Sequence, residues 1–420
     1  MTIREYLAYH CDDETDLTCG ARVRLLKGEG RTVKGGGAFV YDNEIDTVTG
    51  DYENGAIVTV EDFDGYVMGR GMINDLSKIR VRMLTRRKDQ QVTAAFLMER
   101  VRAAWEYRKR VIDTDSCRVV FGEAAFLPGL TVDKYGNVLV AEVLSLGMER
   151  LKPLVLSALV QVLAEDGCMV RGIYERSDAA VRTREGMEPF KGFLTEPFDT
   201  KVPIEENGVR YIVDIANGQK TGFFLDQKLN RRLIQPICRG MEVLDCFTHT
   251  GSFALNAAVA GARKVTAIDA SETAIAQAKE NALLNAERIP QDCLSFVCSD
   301  VFAYLPKQEE AGVSYDVVIL DPPAFTKSKS TVQSASRGYR EINRRGMQLV
   351  RDGGYLATCT CSHFMEEEHF KRVIEAAARD AHRRLKQVAF RTQAPDHPIL
   401  WAQDTSYYLK FYVFQVLKEK

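Results

Sequence analysis

From about residue 206 onward, short apolar runs alternate with longer amphipathic stretches. The runs VLDCF (243–247), KVTAID (264–269), LSFVCSD (294–300), DVVILDP (316–322) and GYLATCTCS (354–362) are strand-like. The segments between them have helical spacing and open at Gly251, Ser271, Val301 and Gln333. Strands alternating with helices over this length predict an α/β, Rossmann-like domain: a mostly parallel sheet covered on both faces. A further helix is expected over 365–383. LKQVAFRTQ (385–393) and YYLKFYVFQV (407–416) then form a strand pair that closes the sheet edge and brings it to seven strands.

The pattern before residue 206 differs. Within 1–85, the short alternating segments GAFVYDNEI, AIVTVEDF and KIRVRML are separated by glycine-rich stretches such as Lys34-Gly35-Gly36-Gly37. That is the signature of a small β-rich unit. Over 86–205, a helix at 94–110 carries Phe96, Val101, Ala104 and Trp105 near helical spacing. It precedes a strand (VLVAEVLSL), a helix (LKPLVLSALVQVLAE) and a second strand (GIYERS), which together predict a small central α/β domain. The expected division is thus 1–85, 86–205 and 206–420.

With 45% apolar and 27% charged residues, the 420-residue chain has material for more than one buried core. No apolar run approaches the ~20 residues needed to cross a bilayer, and the acidic start MTIREYLAYHCDDETD has no apolar signal core. A cytoplasmic protein with no membrane partner is therefore expected. The ten cysteines form no CxxC pair, so neither a metal site nor a disulfide framework is suggested. A net charge of −2 does not mark a nucleic-acid binder. Arg80, Arg82, Arg86, Arg87, Lys88, Arg100, Arg102, Arg108, Lys109 and Arg110 nevertheless crowd one stretch. They suit either phosphate contacts or a solvated, ion-paired helix face.

The chemistry concentrates at the C-terminal ends of the predicted strands. Val243-Leu-Asp-Cys-Phe-Thr-His-Thr-Gly-Ser-Phe253 reads as strand, tight turn and helix start, which sets free N–H groups and a positive helix end beside a ligand. A dinucleotide site would need G-x-G-x-x-G there, but only Gly251 is present. A nucleoside ligand without phosphates, such as S-adenosylmethionine, suits that turn better. Asp269 ends the next strand, where a carboxylate can accept from ribose hydroxyls, and Asp300 ends the third, where it can accept from an adenine amino group. Any of these acids could serve simply as a helix N-cap. Asp245, Asp269 and Asp300 in order, followed by Asp321-Pro322-Pro323-Ala324-Phe325, point to a ligand instead. The two prolines remove N–H donors and leave carbonyls free to receive a base.

The fifth strand ends Thr358-Cys359-Thr360-Cys361-Ser362. By period two both cysteines share a face, with Cys361 nearer the rim where a substrate would lie. Carbon 5 of a pyrimidine is a poor nucleophile until a thiolate adds at C6, so an activated cysteine at this place fits such chemistry. Cys359 is the better candidate for an inert core residue.

These motifs resemble the bacterial 23S ribosomal RNA cytosine-C5 methyltransferases with an N-terminal PUA domain. The resemblance runs nearly the whole chain. It is strongest in IYERSDAAVRTREGME (173–188), GQKTGFFLDQKLNRR (218–232), LDCFTHTGSFALNAA (244–258), ILDPPAFTKSKS (319–330), RGYREIN (337–343) and TCTCS (358–362). It implies a PUA-like domain, a central α/β domain and a class I methyltransferase domain. The cofactor-binding residues it implies are Phe224, Gln227, Asp245, Phe247, Thr250, Gly251, Asp269, Asp300, Asp321 and Pro322. Cys361 becomes the nucleophile, with Asp321 beside it, and ribosomal RNA the partner. Arg337 and Tyr339, just beyond the DPP strand, are expected to hold the RNA by phosphate contact and base stacking. The chain departs from the pattern at Cys359, at His363 and in the Lys34–Gly37 segment, which replaces a more basic, histidine- and proline-containing one. Three other readings stay open: a guanine-N methyltransferase, which needs no thiol, a uracil-C5 methyltransferase, and an RNA-binding assembly factor without turnover.

Overall fold

The computed structural model describes residues 1–402 and 404–419. The chain forms two compact units. The first takes Met1–Ile204, Val213–Leu225 and Pro395–Ser406; the second takes Glu205–Ile212, Asp226–Ala394 and Tyr407–Lys420.

The first unit holds a six-stranded sheet built between Thr18 and Thr85 and a five-stranded sheet built between Ser116 and Phe193. In the helix Ala94–Val111, Thr93 caps the N-terminus by accepting from the Phe96 N–H at 3.0 Å. Its buried face is Leu97, Val101, Ala104, Trp105 and Arg108, an i, i+4, i+7, i+8, i+11 stripe. That stripe joins Leu156, Leu159 and Leu163 of the helix Leu146–Glu165 in one apolar cluster with the five-stranded sheet. Pro395–Ser406 is an excursion from the far end of the chain. Within this unit the Tyr107 hydroxyl donates to the Pro395 carbonyl (3.0 Å), Arg108 Nη2 to the Asp396 carbonyl (3.0 Å), and the Arg118 N–H to the Asp396 carboxylate (2.9 Å).

The second unit is a seven-stranded sheet. Its strands in chain order are β1 (Glu242–Cys246), β2 (Lys264–Asp269), β3 (Leu294–Cys298), β4 (Tyr315–Leu320), β5 (Val350–Thr360), β6 (Arg383–Arg391) and β7 (Lys410–Lys418). Their spatial order is β3-β2-β1-β4-β5-β7-β6, parallel except where β7 runs antiparallel to both neighbours. The expected strand pair at the edge is present, with β7 the inner member. Helices α1 (Lys228–Cys238), α2 (Ser252–Val259), α3 (Glu272–Leu284), α4 (Val301–Glu310), α5 (Val332–Leu349) and α6 (Glu367–Asp380) cover the faces.

Strand residues alternate between two cores, as period two requires. Leu244, Ile268, Val318, Leu320 and Leu356 pack with Tyr339, Ile342 and Met347 of α5 and Phe370 and Ile374 of α6. Val243, Ala267, Val317, Ile319, Ala357 and Cys359 pack with Ile234 of α1 and Phe253, Ala254 and Ala257 of α2. The central strands are thus buried on both sides, and what they present to a ligand comes from their C-terminal ends and the turns just beyond.

Candidate active site

Asp245 stands near the end of β1, fully buried. Its Oδ2 accepts from the Thr248 hydroxyl (2.5 Å) and the Ala254 N–H (2.9 Å), whereas Oδ1 has no hydrogen-bond partner among the described residues. Burial, then the negative charges of Asp321 and Asp269, push its carboxyl up to about 7 against the pull of the Thr248 bond. The turn that follows is unusually tight: Phe247, His249 and Gly251 all take positive φ (63°, 52° and 84°). Two non-glycine residues in the left-handed region within three positions store backbone strain, which persists only where surrounding structure enforces it. At Gly251 a Cβ would also lie 3.1 Å from the Ala278 Cβ of α3, so the glycine serves the turn and the helix behind it. The Thr250 hydroxyl is buried without a hydrogen-bond partner among the described residues, while its carbonyl accepts from Asn281 Nδ2 at 3.0 Å.

Asp269 closes β2, with Oδ2 accepting from the His249 N–H and Oδ1 from the Ser271 N–H, both at 2.9 Å. It thereby ties the β1 turn to the next strand end. Asp300 is exposed and caps α4, its Oδ1 accepting from the Phe302 N–H at 2.6 Å. Asp321 follows β4. Its Oδ1 accepts from Gln227 Nε2 (3.0 Å) and from the Cys359 thiol (2.9 Å). Burial pushes this carboxyl up to about 6, opposed by the bond from Cys359. Pro322 beside it is buried, and the Phe247 ring lies 6.3 Å from that of Phe325. Gln227, itself buried, is held by Asn230 Nδ2 donating to its Oε1 at 2.7 Å.

Two buried oxygens without partners among the described residues, Asp245 Oδ1 and Thr250 Oγ1, therefore mark one turn. Buried polar atoms in native structures are nearly always satisfied, so an unmet acceptor and hydroxyl together are what a polar ligand completes. S-adenosylmethionine carries an ammonium, a sulfonium and ribose hydroxyls, and this donor-poor, acid-rich rim fits it.

The two cysteines differ sharply. Cys359 is fully buried, and its thiol donates to Asp321 Oδ1 and to the Leu320 carbonyl (3.7 Å). Burial and the Asp321 charge hold it well above the ordinary thiol range. Cys361, one residue beyond β5, is half-buried, packs on the same face, and has its Sγ 3.9 Å from the Pro322 carbonyl.

Not every expected residue joins this group. Phe224 belongs to the first unit, where Lys220 Nζ lies 4.5 Å from its ring centroid, whereas the other expected cofactor residues belong to the second. The base-stacking role expected of Tyr339 is corrected: its ring is 0% exposed, 4.6 Å from Phe325 and 5.4 Å from Phe370, and so offers no face to a base. Its hydroxyl instead accepts from the Phe325 N–H (3.4 Å) and from Thr360 (2.8 Å). Arg337 is exposed on α5.

The basic stretch divides in two. Arg80, Arg82, Arg102 and Lys109 are ion-paired, and Arg108 is buried and donates to carbonyls. Arg86, Arg87, Lys88, Arg100 and Arg110 have no carboxylate within 4.0 Å among the described residues. In the first unit Arg86, Arg87 and Arg100 line a cavity of about 200 Å³ with Gly36, Gly37 and Phe126. The Arg100 guanidinium carbon lies 4.9 Å from the ring centroids of both Phe96 and Phe126. Among the described residues no group of three His, Cys, Asp or Glu could hold a metal ion, and no helix is long and apolar enough to cross a membrane.

Comparison with known proteins agrees with this geometry. Residues 181–414 match the S-adenosylmethionine-dependent methyltransferase family, and residues 23–86 match a PUA-like domain. Two solved structures superpose over 94% of this chain and 99% of their own. One is from Streptococcus mutans, named for S-adenosylmethionine-dependent methyl transfer (TM-score 0.77), and the other is SMU.776, complexed with SAH (TM-score 0.78). At 20% identity they establish the fold. Ribosomal RNA large subunit methyltransferase I of Alteromonas mediterranea is 36% identical over 94% of this chain and 99% of its own length. The proteins of that name from Vibrio vulnificus and Shewanella frigidimarina are 38% and 37% identical, over 94% of this chain and 100% and 99% of theirs. Identity at that level along nearly the full length of both partners means common descent, and the chain belongs to the ribosomal RNA large subunit methyltransferase I family of S-adenosylmethionine-dependent methyltransferases.

Proposed function

We propose that this protein methylates carbon 5 of a cytosine in 23S ribosomal RNA, through a covalent bond between Cys361 and carbon 6 of the base, in the bacterial cytoplasm. The observation that carries the reading is the half-buried Cys361 thiol beside the Pro322 carbonyl at the exit of the DPP strand. Relatives named for large-subunit ribosomal RNA support the substrate class.

Asp245, Thr250 and Asp269 hold S-adenosylmethionine, with Gly251 shaping the turn, Asp300 beside the next strand and Gln227 bracing Asp321. When bound, the cofactor supplies an electrophilic sulfonium methyl. Cys361 Sγ adds to C6, which breaks the C5–C6 double bond and makes C5 an enamine carbon that can take up a methyl group. Loss of the C5 proton to a base then re-forms the double bond and expels the thiolate. Asp321, with its carboxyl raised to about 6, keeps a proton closer to neutrality than an ordinary aspartate; it can donate that proton to N3 as the thiolate adds and take it back as the thiolate is expelled. Cys359, kept as a thiol first by burial and then by Asp321, plays no covalent part. RNA is drawn in by Arg337 and by Arg86, Arg87 and Arg100, which have no carboxylate partner among the described residues and supply sequence-independent phosphate contacts.

RNA carrying 5-fluorocytosine at the target tests this directly, because fluorine cannot leave as a proton and the adduct is stranded. The trapped peptide is expected to carry the base on Cys361. Cys361→Ala should lose methyl transfer yet keep S-adenosylmethionine affinity, whereas Cys359→Ala should retain substantial activity with about 1 kcal/mol lost to a small cavity. Near wild-type methylation by Cys361→Ala would overturn the C5 reading and favour guanine-N chemistry.

A further inference from the structure

The segment Lys34-Gly35-Gly36-Gly37 departs from the family pattern, and no step of the reaction uses it. Its glycines make room. Gly36 has a φ of 110°, and a Cβ there would lie 2.9 Å from the Ala402 Cβ. One at Gly37 would lie 3.4 Å from the Ala402 carbonyl oxygen. The excursion Pro395–Ser406 therefore rests on this turn, within the first unit. Leu400 lines the same cavity of about 200 Å³ as Gly36 and Gly37, and its N–H donates to the Ser406 hydroxyl at 2.8 Å. Trp401 thus stands between two residues seated at the cavity, yet it is 95% exposed. A tryptophan left in water forgoes the burial for which so large a ring is usually used. The other tryptophan of the chain, Trp105, is 1% exposed and donates from Nε1 to Asp166 at 2.6 Å.

The cavity wall is basic and aromatic. Arg86, Arg87 and Arg100 face a single acid, Glu123, and none of the three has a carboxylate within 4.0 Å among the described residues. Arg86 is steered by the carbonyls of Val33 and Lys34, to which its Nη1 donates at 3.1 and 3.4 Å. Arg100 lies between the rings of Phe96 and Phe126, and its Nε has no hydrogen-bond partner among the described residues. Phe126 is half-exposed and has a φ of 57°, a left-handed conformation that a bulky residue adopts only under constraint. Guanidiniums beside outward-facing rings are how proteins hold unpaired nucleotides, with phosphate on the cation and base on the ring. Arg87, Arg100, Phe126 and Trp401 all lie outside the residues 23–86 that match a PUA-like domain.

We propose that this cavity and Trp401 form a binding site for single-stranded ribosomal RNA. A backbone phosphate sits among Arg86, Arg87 and Arg100, and a neighbouring base stacks on Trp401. A cavity of about 200 Å³ does not take in a double helix, whose paired bases offer no face to Trp401. The site therefore selects unpaired RNA, the form in which a base is open to chemistry. The inference rests on ribosomal RNA being the substrate and on nothing about Cys361.

Trp401 is its own reporter, since Trp105 is buried. Tryptophan emission of the full-length protein is titrated with an unstructured RNA of about ten nucleotides, with an RNA duplex of similar length and with polyglutamate. The single strand should quench the solvent-exposed emission saturably. The duplex should bind about tenfold more weakly or worse, the worth of one stacked base. In filter binding, Trp401→Ala should weaken the single strand about tenfold, and Trp401→Phe should restore most of that loss. Arg87→Ala should weaken it several-fold and lower its salt dependence. All three variants should keep the S-adenosylmethionine affinity of the wild type. A wild-type emission that the single strand leaves unchanged overturns the proposal whatever the variants do. Equal affinity for the duplex also overturns it, and equal affinity for polyglutamate would make the patch a docking place for acidic protein instead. An RNA that quenches Trp401 but leaves no 5-fluorocytosine adduct on Cys361 would sink the C5 reaction and leave this site standing.

Discussion

Asp245 is a carboxyl whose burial should be visible as a pH dependence of stability, and Asp245→Asn removes it with little change of shape. In the unfolded chain the group titrates near 3.8, and in the fold near 7. Between those values the folded protein holds a proton that the unfolded chain has released. Stability from this site is therefore complete below the lower value and is lost as pH rises through the upper one. Each pH unit in the window is worth about 1.4 kcal/mol, and the window spans about three, so ~4 kcal/mol is the ceiling. An asparagine can still accept from Thr248 and Ala254 through its oxygen and does not titrate. Urea melts of both proteins at pH 5, 6, 7 and 8, following the transition of the sheet that bears β1, should give a stability difference that moves by about 3 kcal/mol in favour of the variant as pH rises. A difference that is flat over this range would refute the assignment of an uncompensated buried carboxyl. The same logic reverses for the cofactor: its positive charge favours ionised Asp245, so S-adenosylmethionine should bind more tightly from pH 6 to 8 in the wild type. In Asp245→Asn that slope should vanish.

Asp269→Ala should weaken S-adenosylmethionine more than tenfold by calorimetry, since a charge-assisted hydrogen bond is worth about 1.5–3 kcal/mol; undiminished affinity would reduce Asp269 to a brace for the His249 turn. Arg337→Ala should weaken RNA binding several-fold and lower its salt dependence while leaving cofactor affinity unchanged, as measured by filter binding at two ionic strengths. Equal RNA affinity in the variant would make Arg337 an ordinary solvated helix residue.

The seven-stranded sheet was legible because its central strands are continuous apolar runs and its helices open at readable positions. Ser271 caps α3 and Asp300 caps α4, with side chains accepting from Ala274 and Phe302. The six-stranded sheet was legible only in part. Its strand Val67–Ile73 contains Gly69 and Gly71, residues that read as turn signals. There they admit close backbone approach, since a Cβ would fall 2.0 Å from the Thr85 carbonyl oxygen and 2.6 Å from that of Arg82. The strand Thr18–Leu25 was missed although buried Ala21, Val23 and Leu25 alternate with exposed Arg22 and Arg24, a period-two signal that could have found it. At the site, the strand-end acids were readable from spacing, but which oxygens lack partners is a matter of packing and left no mark in the sequence. Tyr339 could have been placed correctly. Ala335, Tyr339, Ile342, Asn343 and Gly346 follow the helical stripe of a core-facing side, and that signal outweighs the aromatic ring's suitability for stacking.

The excursion Pro395–Ser406 has a consequence for biosynthesis. Arg108 and Arg118 lie in the first third of the chain, yet the Asp396 groups they donate to come off the ribosome only when synthesis is nearly finished. Arg108 is 1% exposed and depends on such carbonyls for its guanidinium. Neither unit has all its parts until the end of the chain arrives, because the second still lacks β7 when the first receives Asp396. The two units are also joined by five passages of one strand of peptide, so a single nick between them leaves both attached. A ribosome stalled around residue 390 would therefore display two unfinished units, and release of the last thirty or so residues would complete both within one event.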